Sequence, residues 1–248
     1  MIRDPGQAAL AHALLEYAGI GLGMWLYRRA RARSGLPALT AGGGFALFAG
    51  LLLGAGLGNK AVFALERPDL IAAWWHGAPL VLGQSMVGGL LGGLIGIELA
   101  KALTRQPAST GDLMVTPICC GLALGRLGCF LAGLHDDTYG LPTTLPWGLD
   151  LGDGVPRHPS ALYEIAFLAG LGTLLHRGAA RWAPEPGLRF KLFLSAYLLW
   201  RLLGDGLKPV RIEYPGGLSG IQWVCLLALL AYGPLLVRAM ARLRHRTT

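Results

Sequence analysis

Seven apolar runs divide the chain, at about residues 8–27, 39–65, 78–100, 113–134, 159–175, 188–203 and 221–237. Most approach the roughly 20 residues that an α-helix needs to cross the hydrocarbon of a bilayer. Short polar segments separate them, including residues 66–76, and one long polar loop takes residues 135–157. The third run holds Gly88-Gly89 and Gly92-Gly93, a small-xxx-small spacing that lets membrane helices approach closely. Pro159 falls near the start of the fifth run, where a missing N–H costs little. Trp74, Trp75 and Trp147 fall in polar segments and read as anchors at the lipid–water boundary. The pattern predicts an all-α integral membrane protein with seven transmembrane helices. It forms a single polytopic membrane domain over residues 1–248, with a polar extracytoplasmic loop at about 135–157.

Composition agrees: 53% of the 248 residues are hydrophobic and only 15% charged, with 38 glycines. A soluble domain carries about a quarter charged residues. Charge placement then predicts orientation. Arg28, Arg29, Arg31 and Arg33 follow the first run, Lys101 and Arg105 the third, Arg177 and Arg181 the fifth, and Arg238, Arg242, Arg244 and Arg246 the seventh. The remaining loops hold most of the Asp and Glu. The positive-inside bias puts the C-terminus in the cytoplasm and the N-terminus outside, so the long loop faces outward. The net charge of +8 sits in short blocks beside apolar runs, which fits anionic lipid and not nucleic acid. No removable signal peptide is expected. The absence of an internal repeat argues against an inverted-repeat transporter.

Polar residues inside apolar runs carry the candidate chemistry. Arg126 lies within the fourth run and Arg201 within the sixth, where Tyr197 shares its helix face. An arginine in that setting needs an anion or a water-filled cavity. Two of them suggest an anionic group between them, for which a phospholipid head is the abundant source. Pairing with an internal carboxylate, Glu98, Glu164 or Asp205, is the alternative. His135 and His158 bracket the long loop and are candidate general bases. Asp136 and Asp137 read either as turn residues or as partners of His135, whereas Asp150 and Asp153 read as turn formers. Cys119, Cys120, Cys129 and Cys225 lie in apolar runs, and none has metal-ligand spacing to a histidine. Three of them read as small buried hydrophobes. Cys129, near Arg126, is a second candidate nucleophile.

Gly125-Arg126-Leu127-Gly128-x-Phe130, then Arg157-His158-Pro159-Ser160-x-Leu162-Tyr163-Glu164, then Tyr197-x-x-x-Arg201 resemble, in order and spacing, the bacterial prolipoprotein diacylglyceryl transferases. The glycine-rich third run resembles that family too. The likeness covers most of the chain beyond about residue 40. It implies transfer of a diacylglyceryl group from phosphatidylglycerol to a thiol at the outer leaflet of the bacterial inner membrane, with no metal and no cofactor. It further implies that Arg126 and Arg201 hold the lipid phosphate, that Tyr197 positions the headgroup, and that His158 and Glu164 shape the site. Gly125, Gly128, Cys129, Asp136, Asp137, Ser160 and Tyr163 complete the expected substrate-binding set.

Three positions depart from the family pattern. Cys129 stands where the family usually has Asn, Leu134 where it has Glu, and Val87 where it has His. The phosphate-holding half of the site is kept and the acceptor-activating half is rebuilt. This implies a paralogue, with His135, oriented by Asp136 or Asp137, as the candidate general base. The partners expected are a phospholipid and an acceptor protein or small molecule. The rival readings are a paralogue with a non-lipoprotein acceptor, or a non-catalytic binder or transporter of anionic lipid.

Overall fold

The computed structural model describes residues 2, 4–36, 44–81, 83–106, 109–136, 138–210 and 212–247. The first apolar runs become long helices, α1 (Pro5–Arg33) and α2 (Gly44–Glu66), and the segment after α2 folds as a short helix, α3 (Pro68–Trp75). The remaining helices are α4 (Met86–Thr104), α5 (Val115–Ala132), α6 (Ser160–Arg177), α7 (Ala179–Trp182), α8 (Leu188–Gly204) and α9 (Gly220–Thr247). Among the described residues five helical stretches are long and apolar enough to cross a membrane: Pro5–Arg33, Gly44–Glu66, Met86–Thr104, Asp112–His135 and Gly220–Arg246. Large apolar side chains point outward along them, with Leu57 72% and Leu103 84% exposed. Such faces suit hydrocarbon and would be a liability in water.

Close helix pairing follows from the glycines. α2 lies on α4 along facing glycines, Gly54 and Gly58 against Gly88 and Gly92. A Cβ on Gly92 would run into the carbonyl oxygen of Gly54, so only glycine lets the backbones meet. α1 lies on α5 in the same way, with Gly128 against the backbone and ring of His12. The core proper sits between α5, α6, α8 and α9, around Leu168, Phe193, Leu194, Tyr197, Leu198 and Cys225. At one end Asp112 ties α5 to α8, accepting from the backbone N–H of Gly187 at 2.6 Å and of Phe190 at 3.0 Å. A carboxylate on the first-turn N–H groups of a helix also favours its dipole.

Three segments differ from the apolar pattern. The helix of the third run, α4, begins at Met86 and not near residue 78, because the Ser85 side chain caps it and Asn59 Oδ1 takes the Ser85 N–H at 2.7 Å. Residues 66–76, read as a polar segment, contain α3, on which Trp74 and Trp75 are exposed. α9 runs on past residue 237, with Pro234 inside it. The start of the second run, including Gly42 and Gly43, lies outside the described residues. In the long loop a 3-10 turn (Gly133–His135) leads to a two-residue hairpin, β1 (Leu149–Asp150) with β2 (Pro156–Arg157). Asp150 and Asp153 are turn formers there, accepting from the N–H groups of Gly152 and Val155.

The glycine contacts give a direct expectation. Gly92→Val should cost about 3 kcal/mol of stability, as overpacking does. Gly56, where an added Cβ would meet nothing within 4 Å, should accept alanine within about 0.5 kcal/mol. Thermal unfolding in detergent compares the two.

Candidate functional site

The ends of four helices meet at one side of the bundle and bring the charged residues together. Arg126 projects from the last turns of α5, Glu164 from the first turns of α6, and Tyr197 and Arg201 from α8. Asp205 and Lys208 follow α8, and Ser219 precedes α9. Arg126, Glu164, Tyr197 and Arg201 are all buried.

Both guanidiniums converge on one carboxylate. Arg126 Nε lies 2.9 Å from Glu164 Oε2, and Arg201 Nη1 lies 3.4 Å from the same oxygen. Tyr197 donates its hydroxyl to the other oxygen, Oε1, at 2.7 Å. Arg201 Nη2 reaches Asp205 Oδ1 at 2.8 Å, and Lys208 Nζ lies 3.5 Å from that oxygen and 3.9 Å from Glu164. Ser219 donates to the second Asp205 oxygen at 3.1 Å. The internal-carboxylate alternative thus describes the contacts seen, through Glu164 and Asp205; Glu98 instead pairs with Lys101. At ion-pair distance three cations share two carboxylates, and Glu66 is a further acidic neighbour of Arg201 and Lys208. The Nε–H of each arginine is buried without an aligned hydrogen-bond acceptor, although Arg126 Nε stays within ion-pair reach of Glu164. Burial pushes the Asp205 carboxyl up, but Arg201 and Lys208 outweigh it and hold it below its ordinary range. Burial, reinforced by both arginines, pushes Lys208 down to about 8.

A second cluster adjoins the first. Arg126 Nη1 donates to Thr138 Oγ1 at 3.2 Å and to Cys129 Sγ at 3.4 Å. Cys129 Sγ in turn lies 3.6 Å from Nε2 of His12, on α1. Asp136 accepts from Thr138 Oγ1 at 2.9 Å and from its N–H at 3.3 Å. The loop is laced down over this corner. Ser160 Oγ donates to the Thr138 carbonyl at 2.9 Å, and the Leu141 N–H donates to Leu207 O at 2.8 Å.

Space around the network is divided. A cleft of about 340 Å³, almost wholly apolar, runs between α1, α2, α4 and α5, from Met86 and Gly125 to Arg31 and Thr110. A cavity of about 150 Å³, more polar, touches the network through Thr138, Asp205 and Ser219 and reaches Glu66 and Gln84. Between Glu164, Arg201 and Lys208 there is only a void of about 10 Å³.

Of the residues singled out from the sequence, Arg126, Arg201, Tyr197 and Glu164 form one network. Cys129, Asp136 and Ser160 join it through Arg126 and Thr138. Gly125 lines the apolar cleft and Gly128 packs on His12. His158 and Tyr163 form a separate pair, Nδ1 to hydroxyl at 3.4 Å, to which Trp147 Nε1 donates at 2.7 Å. His135 is exposed, and Asp137 lies outside the described residues. Sequence spacing missed Lys208, Thr138 and above all His12, which reaches a cysteine 117 positions away. The rule that flagged Arg126, a polar residue inside an apolar run, applies equally to His12. No cysteine has metal-ligand spacing to a histidine along the sequence, and the Cys129–His12 contact comes instead from helix packing, which local spacing cannot see.

Residues 7–238 match the family model described as prolipoprotein diacylglyceryl transferase. Similar proteins carry the name phosphatidylglycerol--prolipoprotein diacylglyceryl transferase. The one from Geobacter sulfurreducens is 34% identical, covering 77% of this chain and 75% of its own. The one from Cupriavidus metallidurans is 37% identical over 78% and 74%. The one from Polynucleobacter asymbioticus is 33% identical over 82% and 77%. The chain therefore belongs to the prolipoprotein diacylglyceryl transferase family and is a multi-pass membrane transferase.

Proposed function

We propose that the protein moves the diacylglyceryl group of phosphatidylglycerol to the cysteine thiol of a prolipoprotein, at the outer leaflet of the bacterial inner membrane. One observation carries the site assignment: two buried guanidiniums held side by side by a single carboxylate, Glu164. In the transfer the acceptor sulfur attacks the glyceryl CH2 carbon bonded to the phosphate oxygen. The C–S bond forms, the C–O bond breaks, and the electron pair leaves on that oxygen as glycerol phosphate. Arg126 and Arg201, fixed before the reaction, stabilise this developing charge, and donors of that kind are often the largest catalytic contribution. The acyl chains take the apolar cleft that ends at Gly125, one residue from Arg126. The headgroup glycerol takes the polar cavity beside Thr138, Asp205 and Ser219. Tyr197 gives its hydroxyl to Glu164 and so positions the arginines. His158 and the exposed His135 are the candidate proton acceptors toward the outer mouth.

The same reading makes the chain a single membrane domain with seven crossings. α6 and α8, of 18 and 17 residues, add to the five longer apolar stretches. The starts of α6 and α9 meet the ends of α5 and α8 around the arginines. The backbone N–H of Ile2, before α1, reaches Leu131 of α5 at 3.2 Å, and Tyr214 reaches Leu65 near the end of α2 at 2.6 Å. At the other end Arg242 of α9 pairs with Glu185 before α8 at 2.7 Å. That alternation, with arginines crowding the ends of α1, α6 and α9, supports a cytoplasmic C-terminus and an outward N-terminus.

With labelled phosphatidylglycerol and a lipobox peptide, Arg126→Gln and Arg201→Gln should each lower turnover by about 10²–10³-fold, the scale for losing one charge-stabilising donor. Near-normal thioether formation in either variant would remove that arginine from the mechanism. Glycerol phosphate release without peptide labelling would point to another acceptor.

Lys208 gives a pH signature. Its value in the fold, about 8, lies below the ordinary 10.5, so the site loses a positive charge as pH rises through 8. The KM for anionic lipid should rise above that pH. Stability should rise slightly over the same window, because the unfolded chain holds more protons there. Lys208→Arg should keep KM flat past pH 8; an unchanged alkaline rise in that variant would assign the effect elsewhere.

A further inference from the structure

His12, Cys129 and Asp136 meet beside Arg126 without a part in holding the lipid phosphate. Their ligand-capable atoms all lie within 4.8 Å of one another, and each residue is partly buried. They come from three places in the chain: α1, α5 and the turn after α5. Two ligands of one tetrahedral zinc, with Zn–S about 2.3 Å and Zn–N about 2.0–2.1 Å, stand roughly 3.5 Å apart. The observed Cys129 Sγ to His12 Nε2 separation is 3.6 Å. The pair already has the spacing of a bound site, and an Asp136 carboxylate oxygen lies within 4.8 Å of both.

The surroundings support the same use. Thr138 donates twice to Asp136 and fixes its orientation, as outer partners of metal ligands do. Gly128 keeps α1 close enough for His12 to reach, since a Cβ there would stand 3.0 Å from the imidazole Cδ2. Arg126 donates to the sulfur at 3.4 Å, so the sulfur already faces the corner as an acceptor. A thiolate and a carboxylate balance the charge of a divalent ion, so the neighbouring guanidinium is not repelled. Nitrogen, sulfur and oxygen ligands suit zinc, and three protein ligands leave the fourth position open, the arrangement of a catalytic and not a structural zinc.

We propose that His12, Cys129 and Asp136 bind a zinc ion whose open position takes the acceptor thiol. The binding site stands on geometry alone; its role in thiol activation rests on the transferase reading above and departs from the metal-free chemistry that the family resemblance implies, at the position where Cys129 replaces the family's usual Asn. A thiol that coordinates zinc is deprotonated outright, and its proton passes to solvent. The metal-held sulfur then supplies the electron pair of the new C–S bond, while the C–O pair leaves on the phosphate oxygen beside Arg126 and Arg201. Arg126 joins the two halves, with Nη1 toward Cys129 and Nε toward Glu164. The resulting thioether is a poorer ligand than the thiolate, so the product departs.

The test uses full-length protein in detergent, stripped of metal with a chelator and titrated with cobalt(II). One cobalt per chain is expected, with a thiolate-to-cobalt charge-transfer band and tetrahedral d–d bands that zinc displaces. Cys129→Ser should abolish the charge-transfer band. His12→Ala and Asp136→Asn should each weaken binding by at least about tenfold, since even losing an outer partner costs that much. A wild-type protein without the band overturns the site whatever the variants do, and so does binding unchanged in all three variants. Turnover is then compared with and without zinc. Peptide labelling lost on stripping and restored by zinc supports thiol activation, whereas labelling undiminished by stripping overturns it. An intact cobalt spectrum with no lipid turnover in either form places the failure on the transferase reading instead.

Discussion

Two guanidiniums set within oil must share a counter-charge, and here a single carboxylate, Glu164, supplies it. Removing three charged groups from water carries a large desolvation penalty that only close pairing offsets. Glu164 does this with both oxygens engaged, one by Arg126 and Arg201 and the other by the Tyr197 hydroxyl. The result is a pair of cations aimed at the same small volume before any substrate arrives. Asp205 and Lys208 extend the pairing to the start of α9 through Ser219, so four helices are fastened at one end by charge. The opposite end is fastened by capping, with Asp112 on the first N–H groups of α8.

That clamp determines what the rest of the bundle can do. Glycine-lined contacts bring α2 to α4 and α1 to α5, but the two pairs leave an apolar cleft between them. The cleft reaches Gly125, immediately before Arg126. On the far side of the network the walls become polar, at Glu66, Gln84 and Ser219. An amphipathic molecule with an anionic centre fits this order of surfaces, apolar, cationic and then polar. The corner made by His12, Cys129 and Asp136 touches the same arginine, so a lipid phosphate and a second reactant would meet across Arg126.

Much of this was legible in the sequence, for an identifiable reason. The cost of charge in hydrocarbon makes Arg126 and Arg201 conspicuous, and the helical spacing of Tyr197 and Arg201 ties two site residues to one face. The small-xxx-small spacing of Gly88 and Gly92 marks the α4 interface that the fold uses. What the sequence hid depends on packing between distant segments. The partner of Cys129 sits on α1, and only the approach of α1 to Gly128 brings it there. The choice between an internal carboxylate and an external anion was equally hidden, because Glu164 becomes a bridge only once α5, α6 and α8 converge. The helical character of residues 68–75 was masked by their brevity, and the start of α4 by apolar residues before Ser85 that lie outside the helix.

The most direct measurement of the central claim is a structure of the protein with phosphatidylglycerol bound. The account predicts phosphate oxygens within about 3 Å of nitrogen atoms of both Arg126 and Arg201, with the acyl chains in the cleft beside Gly125. A phosphate held elsewhere, with both guanidiniums still closed on Glu164, would contradict it.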